Sequence, residues 1–492
     1  SSQTGPEAPP GRALIPPRGF CAMVLLGRLL PVALLIGGAR GQQKPQCRKS
    51  PELHAVRSKD EGEKALEVVA FGGKGFGWKL DSWYDTWTEE DDLSKEVQFF
   101  SDTWTFSPIS KEWARVKFDE GSKGPVSRWK PSSTTFDDDA RMAIFGGCHG
   151  TDVKGVLNDL WVLDLPSPGR GTWTQVATKN PPRQRRGHIA VANKTHFIVA
   201  GGKGWTEEYG TEVLTDLWIL PLPALRPGGG LTKNLDSVLQ RKKLPSWIAG
   251  QPFPAHPRWG ATGELLDTPG GKQVIALFGG RNKNKGAKLH STEDGAYTYF
   301  NDLWFYHFDQ DSWELAETKG ELPGVRDHHG AASFGTELFV FGGRTSEQRK
   351  KSATLNDLWS YSTLSSRWTL HKASKTAPDQ RFMPGVTVLP DPKHDQLSVV
   401  IFAGETFPGS TKRSSRNDLW AYDIDLKSGR GAWREVAADD CSAKATATRK
   451  VLESEDSSED KAERLSAALG LRALAPRPRP EGRREEEAPT EE

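Results

Sequence analysis

Apolar residues along this chain gather into short runs that close on glycine. Six of them read VVAFGG (68–73), MAIFGG (142–147), FIVAGG (197–202), IALFGG (275–280), LFVFGG (338–343) and VIFAGE (400–405). The sixth has Ala403-Gly404 in place of the glycine pair. After each comes a polar loop, then an Asp-x-Trp segment whose Trp is residue 104, 161, 218, 304, 359 or 420. A second Trp follows at 113, 173, 247, 313, 368 or 433. The runs are apolar at nearly every position, which suits strands covered on both faces.

A fourth element precedes the glycine run and opens, in five copies, with an arginine: Arg128, Arg186, Arg258, Arg326 and Arg381. The first copy has ELHAVRS (52–58) in that place, without the arginine. This makes four short strands per unit, with the Asp-x-Trp tryptophans 57, 57, 86, 55 and 61 residues apart. The tetrapeptide NDLW stands at Asn158, Asn301, Asn356 and Asn417, with SDTW at Ser101 and TDLW at Thr215. One pocket needs one set of catalytic residues, so a motif in six copies marks six copies of a structural unit.

These units resemble the kelch repeat: a glycine pair closing one strand, an aromatic residue in the next, a Trp in the last. The resemblance runs from Cys47 to Cys441 and implies an all-β fold, a six-bladed propeller of four-stranded blades. The expected blades are about 48–118, 126–178, 184–250, 256–318, 324–373 and 379–440, within a propeller of 42–441. Residues 1–41 read as a leader, with a signal-peptide core after Met23 that is too short to span a bilayer. Residues 442–492 are charged and rich in Pro and Ala, without an aromatic ring, and read as a disordered tail.

Charge adds little. Lys and Arg number 66 against 64 Asp and Glu, so no nucleic acid or anionic membrane is expected as partner. Aromatic composition adds more. Twelve of the 18 Trp hold repeat positions; the remaining six are Trp78, Trp83, Trp87, Trp129, Trp205 and Trp259. Four lie in glycine-pair loops, and Trp129 and Trp259 directly follow a blade-opening arginine. Strands alternate direction, so all six are expected on one face. Exposed rings there would stack on a sugar or anchor a peptide, although a loop folded over its own rings is an equal alternative for 74–101. Arg128, Arg186, Arg258, Arg326 and Arg381 are expected around the channel mouth of that face. They would hold a carboxylate or phosphate there, or tie one blade to the next.

The function expected is a binding module for a protein or carbohydrate, without a cofactor. A metal-dependent enzyme of the galactose oxidase type is the alternative class, since Cys148, His149, Tyr209, Tyr297 and Tyr299 lie in glycine-pair loops; six units rather than seven argue against it. An intracellular adaptor is the third. Cys47 and Cys441 flank the repeats and are expected to close the ring as a disulfide, which needs an oxidising compartment. Asn193-Lys194-Thr195 is the one N-glycosylation sequon, placed at a hairpin tip. Both point to a secreted or lumenal protein, with plastid or cytoplasm as alternatives if the leader acts otherwise.

Overall fold

A computed structural model describes residues 44–441 except 59–65, 77–96, 151–152, 208–209, 227–230, 233–243, 255, 284–296, 346–352, 373–375, 392, 407–413 and 439–440. The expected leader and tail, Trp78, Trp83, Trp87 and Tyr209 lie outside the described residues. The rest is all-β. Six antiparallel blades of four strands follow one another, each with its strands in sequence order. Blade 1 comprises Glu52–Arg57, Leu66–Phe71, Thr103–Ser107 and Glu112–Arg115. Blade 2 follows with Ser132–Phe136, Arg141–Cys148, Val156–Ser167 and Arg170–Val176, and the short Leu231–Thr232 adds to its outer edge. Ile189–Ala192, His196–Ala200, Leu217–Pro221 and Ile248–Gly250 form blade 3. The innermost strands of blades 4 to 6 are Thr262–Asp267, Gly330–Phe334 and Gly385–Asp391.

The core is divided among the grooves between blades, because each sheet buries both of its faces against neighbours. Six apolar clusters occupy six grooves. The one that joins last to first packs Leu53, Val68, Ala70 and Trp113 of blade 1 against Val400, Phe402 and Leu419 of blade 6. Five of the six second tryptophans meet the Phe that ends the glycine run of the preceding blade, among them Trp173 on Phe71 at 5.0 Å, Trp247 on Phe145 at 5.6 Å and Trp368 on Phe278 at 4.9 Å. Trp433 meets Phe341 at 5.6 Å and Trp113 meets Phe402 at 4.9 Å, so the pattern passes through the closure. Such ring pairs contribute roughly 0.5–1.5 kcal/mol beyond their buried area. Blade 3 carries Ala200 where the others carry Phe. There Phe253, from the 221–257 insertion, fills the space against Trp313 at 5.1 Å.

A second ring lies on the axis. Two residues beyond each blade-opening arginine stands Ser50, Lys130, Gly187, Gly260, His328 or Met383, all in the left-handed region with φ from 51° to 70°. Their backbones bond from blade to blade: Gly187 N to Lys130 O, Gly260 N to Gly187 O, His328 N to Gly260 O, Met383 N to His328 O. Ser50 N to Met383 O, at 2.9 Å, joins blade 1 to blade 6. The disulfide between Cys47 and Cys441, with Cα atoms 6.0 Å apart, ties the ends of the same closure.

Candidate binding face

The repeated Asp and Arg find each other in every blade. Arg48, Arg128, Arg185, Arg258, Arg326 and Arg381 lie buried and grip Asp102, Asp159, Asp216, Asp302, Asp357 and Asp418 through two parallel bonds. The same Nη1 donates to the carbonyl of the first glycine-pair residue, Gly72, Gly146, Gly201, Gly279, Gly342 or Ala403, at 2.9–3.1 Å. The Asp Oδ2 also accepts from the indole N–H two residues on, at 2.6–2.8 Å. Burial by itself would raise these carboxyls. The guanidinium outweighs it and holds Asp102, Asp216, Asp302, Asp357 and Asp418 below the usual carboxylate range. Asn158, Asn301, Asn356 and Asn417 donate to Pro182, Pro323, Pro378 and Pro45, at the entry to the next blade. In NDLW, therefore, Asn ties blades together and Asp clasps its own blade, with Leu and Trp in the grooves.

Next to each clasp, the residue after the arginine bridges the residue after the glycine pair. The six bridges are Lys49–Lys74, Trp129–Cys148, Arg186–Lys203, Trp259–Arg281, Asp327–Arg344 and Phe382–Glu405. Six of these twelve residues are cationic and two acidic, so this end of the channel is basic although the whole chain is nearly neutral. The charges collect on two indoles. Trp129 has Lys74 Nζ 4.7 Å from its ring, Lys130 Nζ 4.5 Å and the Arg186 guanidinium 5.4 Å. Trp259 has Lys130 at 4.7 Å, Lys203 at 4.5 Å and Arg281 at 4.4 Å. Lys130 thus spans both rings. The ring faces lend partial negative charge to ammonium and guanidinium groups that would otherwise repel one another. Among the described residues, both indole N–H groups are buried without an acceptor.

Asp327 is the fixed anion of the cluster. Burial raises its carboxyl, but the Arg344 and Arg281 guanidinium groups, with a hydrogen bond from His328, hold it well below the usual range. Its oxygens lie 2.6 Å from His328 Nδ1, 2.9 Å from Arg281 Nε and 3.1 Å from Arg344 Nε. Lys49 and Glu405 form a second ion pair. Trp129, Arg186, Lys203 and Trp205 are half-buried and present the accessible part of the face.

A profile of the KLHDC2/KLHL20/DRC7 Kelch-repeats domain matches residues 91–226 and 257–452. The chain belongs to the kelch-repeat family. It is 30% identical over 167 residues to the Leucine-zipper-like transcriptional regulator 1 homolog of Drosophila melanogaster, covering 34% of this chain and 14% of that protein. It is 28% identical over 264 residues to Tip elongation aberrant protein 1 of Schizosaccharomyces pombe, covering 52% of this chain and 18% of that one. With human Kelch domain-containing protein 3 the identity is 27% over 202 residues, 40% of this chain and 44% of the relative. The matches thus span less than half the length of each of these relatives.

On the kelch scaffold the expected site residues separate into two groups. Arg128, Arg258, Arg326 and Arg381 are buried in clasps, four of their N–H bonds spent inside the protein, and present no free fork to a ligand. Arg186 is not the clasp arginine of blade 3. Arg185 is, because neighbours in extended backbone point to opposite sides; Arg186 lies on Trp129 instead. Blade 1 also has its arginine, Arg48, ahead of the ELHAVRS strand rather than within it. Arg128–Asp159, Arg185–Asp216 and Arg326–Asp357 share a separation of 31 residues, but the other three clasps span 54, 44 and 37, so no single spacing marks them. Trp129 and Trp259 stand at the mouth, and Trp205 in the adjoining ribbon of Lys203–Thr206. Lys74, Lys203, Arg281 and Arg344 are contributors that the sequence reading missed, although each directly follows a glycine pair, and Lys130 is a fifth.

The histidines of the kelch lead-ins are packed. Gly146 (φ +61°) places its Cα so that an added Cβ would come within 3.2 Å of the His188 ring. Gly279 leaves the equivalent room for His329, 2.9 Å away. Burial lowers His328 and His329 to about 3 and His188 well below its ordinary value, so all three are neutral. Cys148 is a buried thiol outside the disulfide, with Arg186 Nη1 3.6 Å from its sulfur. Among the described residues no group of three His, Cys, Asp or Glu is placed to hold a metal ion, and no helix is long and apolar enough to cross a membrane.

Proposed function

We propose that this kelch chain is a protein-interaction module whose partner docks on the clasp face, with Trp129 and Arg186 at the contact. The observation that carries this reading is the gathering of cations around Trp129 and Trp259, with two buried indole donors that have no acceptor among the described residues. Positive charge on a firm scaffold favours an acidic segment, whose carboxylates would accept from these groups while its apolar residues pack on the rings. The six clasps hold the face rigid, which limits the ordering cost of binding. Aromatic rings also suit sugar stacking, so a carbohydrate ligand is the second reading.

The test sets a library of acidic and neutral peptides beside a glycan array, probed with the purified full chain. Trp129→Ala and Arg186→Glu variants run alongside, after their melting midpoints are shown to match the wild type. Acidic peptides are expected to bind, with at least a tenfold loss in either variant. Glycan binding without peptide binding would replace the protein partner by a carbohydrate. Binding that both variants retain in full would remove the function from this face.

A further inference from the structure

We infer that Asn193 carries an N-linked glycan, added in the oxidising compartment where Cys47 and Cys441 are joined. The side chain sits at the turn between the first and second strands of blade 3, where Asn193 N donates to His196 O at 3.0 Å. Its Oδ1 accepts three bonds, from Thr195 N at 2.8 Å, Thr195 Oγ1 at 3.0 Å and His196 N at 2.7 Å. Every one of these contacts falls on the oxygen. The amide Nδ2 makes none among the described residues, and Lys194 and Thr195 beside it are exposed. The acceptor atom is therefore left without a hydrogen bond among the described residues on a turn whose oxygen is fixed, so that modification breaks none of these bonds.

The compartment is argued independently of the sequon. The disulfide links residues separated by 394 positions, and its formation requires an oxidising environment. The other described cysteine, Cys148, is outside any disulfide and fully buried. Among the described residues, a pair of oxidised cysteines and a buried thiol suit secretory conditions. The transfer balances with a lipid-pyrophosphate-linked oligosaccharide as donor. Nδ2 attacks the anomeric carbon, the C–N bond forms as the C–O bond to pyrophosphate breaks, and the lipid pyrophosphate leaves with the electron pair. Nδ2 gives up one proton and nothing is oxidised or reduced.

Position gives the glycan a consequence. Asn193 and Lys194 line the rim of a channel of about 830 Å³ whose wall includes His54, Ser133, Glu264 and Ser333. This rim is formed by the hairpins between first and second strands, at the opposite end from the clasps. A glycan here shields the channel's far opening and leaves the clasp face clear.

The full chain with its own N-terminus is expressed in eukaryotic cells, and the purified product is treated with peptide-N-glycosidase and weighed by intact-mass spectrometry. One enzyme-sensitive glycan is expected on the wild type and on Thr195→Ser, and none on Asn193→Gln or Thr195→Ala. Matched melting midpoints show that the losses are not misfolding. Wild-type protein with the disulfide formed but no glycan would overturn the inference, as would unglycosylated protein with both terminal thiols reduced. Enzyme-sensitive mass that survives Asn193→Gln would do the same.

Discussion

Arg381 and Asp418 face each other across blade 6 with Nη1 2.6 Å from Oδ1 and Nη2 2.8 Å from Oδ2, their side chains 0% and 6% exposed. This is the most buried of the six clasps, and Trp420 and Ala403 are bonded to the same pair. Removing one partner leaves a desolvated charge. Arg381→Met is expected to cost about 3–5 kcal/mol in urea denaturation. The exposed pair Arg183–Glu212, 61% and 47% accessible, is the control: Arg183→Ala should leave the midpoint where it was. Equal effects from the two would mean that the clasps do not hold the blades.

Ala403 occupies the position that is glycine in the other five blades, with φ +60°. An L side chain in that region costs about 1–2 kcal/mol. Ala403→Gly should therefore stabilise the chain by about 1 kcal/mol once the extra freedom of glycine in the unfolded state is subtracted. The reverse change, Gly342→Ala, starts at φ +63° and brings a Cβ within 2.7 Å of Arg381 O and 3.0 Å of Leu355 O. It should destabilise by about 2 kcal/mol or more. Thermal melts of both variants read out opposite signs.

The disulfide closes nearly the whole propeller. Cys47→Ser with Cys441→Ser should lower stability by about 5–6 kcal/mol in chain-entropy terms, less whatever structure the unfolded state retains. The groove between blades 1 and 6 keeps its own apolar cluster and the Ser50–Met383 bond. The variant is accordingly expected to fold, and to open first at that groove. Hydrogen exchange at Val68–Ala70 and Val399–Ile401 measures this; uniform loss of protection around the ring would contradict it.

Glu264 and Glu52 line the channel from blades 4 and 1, bonded to Ser333 and Ser133 of the following blades. Each is half-buried in accessible area yet walled in by the channel. Burial pushes Glu264 up to about 8 and Glu52 to about 7, with the serine hydroxyls only partly offsetting it. Between the ordinary glutamate value and these raised ones, the unfolded chain gives up protons that the folded one keeps. Stability therefore falls as pH rises through that window and levels off above about 8. Glu264→Gln should gain on the wild type between about pH 5 and 8, by difference in melting midpoint. Burial lowers His54 to about 4, and His328 and His329 to about 3, which works the other way. Their contribution is present above pH 6.5 and is lost on acidification. A midpoint difference between the wild type and Glu264→Gln that stays constant with pH would show Glu264 to be ionised throughout.

Much of the fold was legible in the order of residues, because each blade repeats the same local demands. Glycine at a left-handed turn, Asp two places before Trp and a fully apolar second strand are properties of a few consecutive residues. The blade-opening arginines show where such reading fails. Arg185 and Arg186 are indistinguishable as letters; their side chains leave extended backbone in opposite directions, and only one meets Asp216. Arg48 escaped because the stretch before the first inner strand carries no other mark of the repeat.

Sequence alone determined the six units, their four strands and the tryptophans they consume. Only the tertiary structure decided that the repeated arginines are consumed by the clasps, since the Asp that neutralises each lies 31 to 54 residues away. It also decided that Lys74, Lys130, Lys203 and Arg281 surround two indoles. Those cations belong to different repeats, and cation–π attraction acts over a few ångströms of space that no spacing along the chain records.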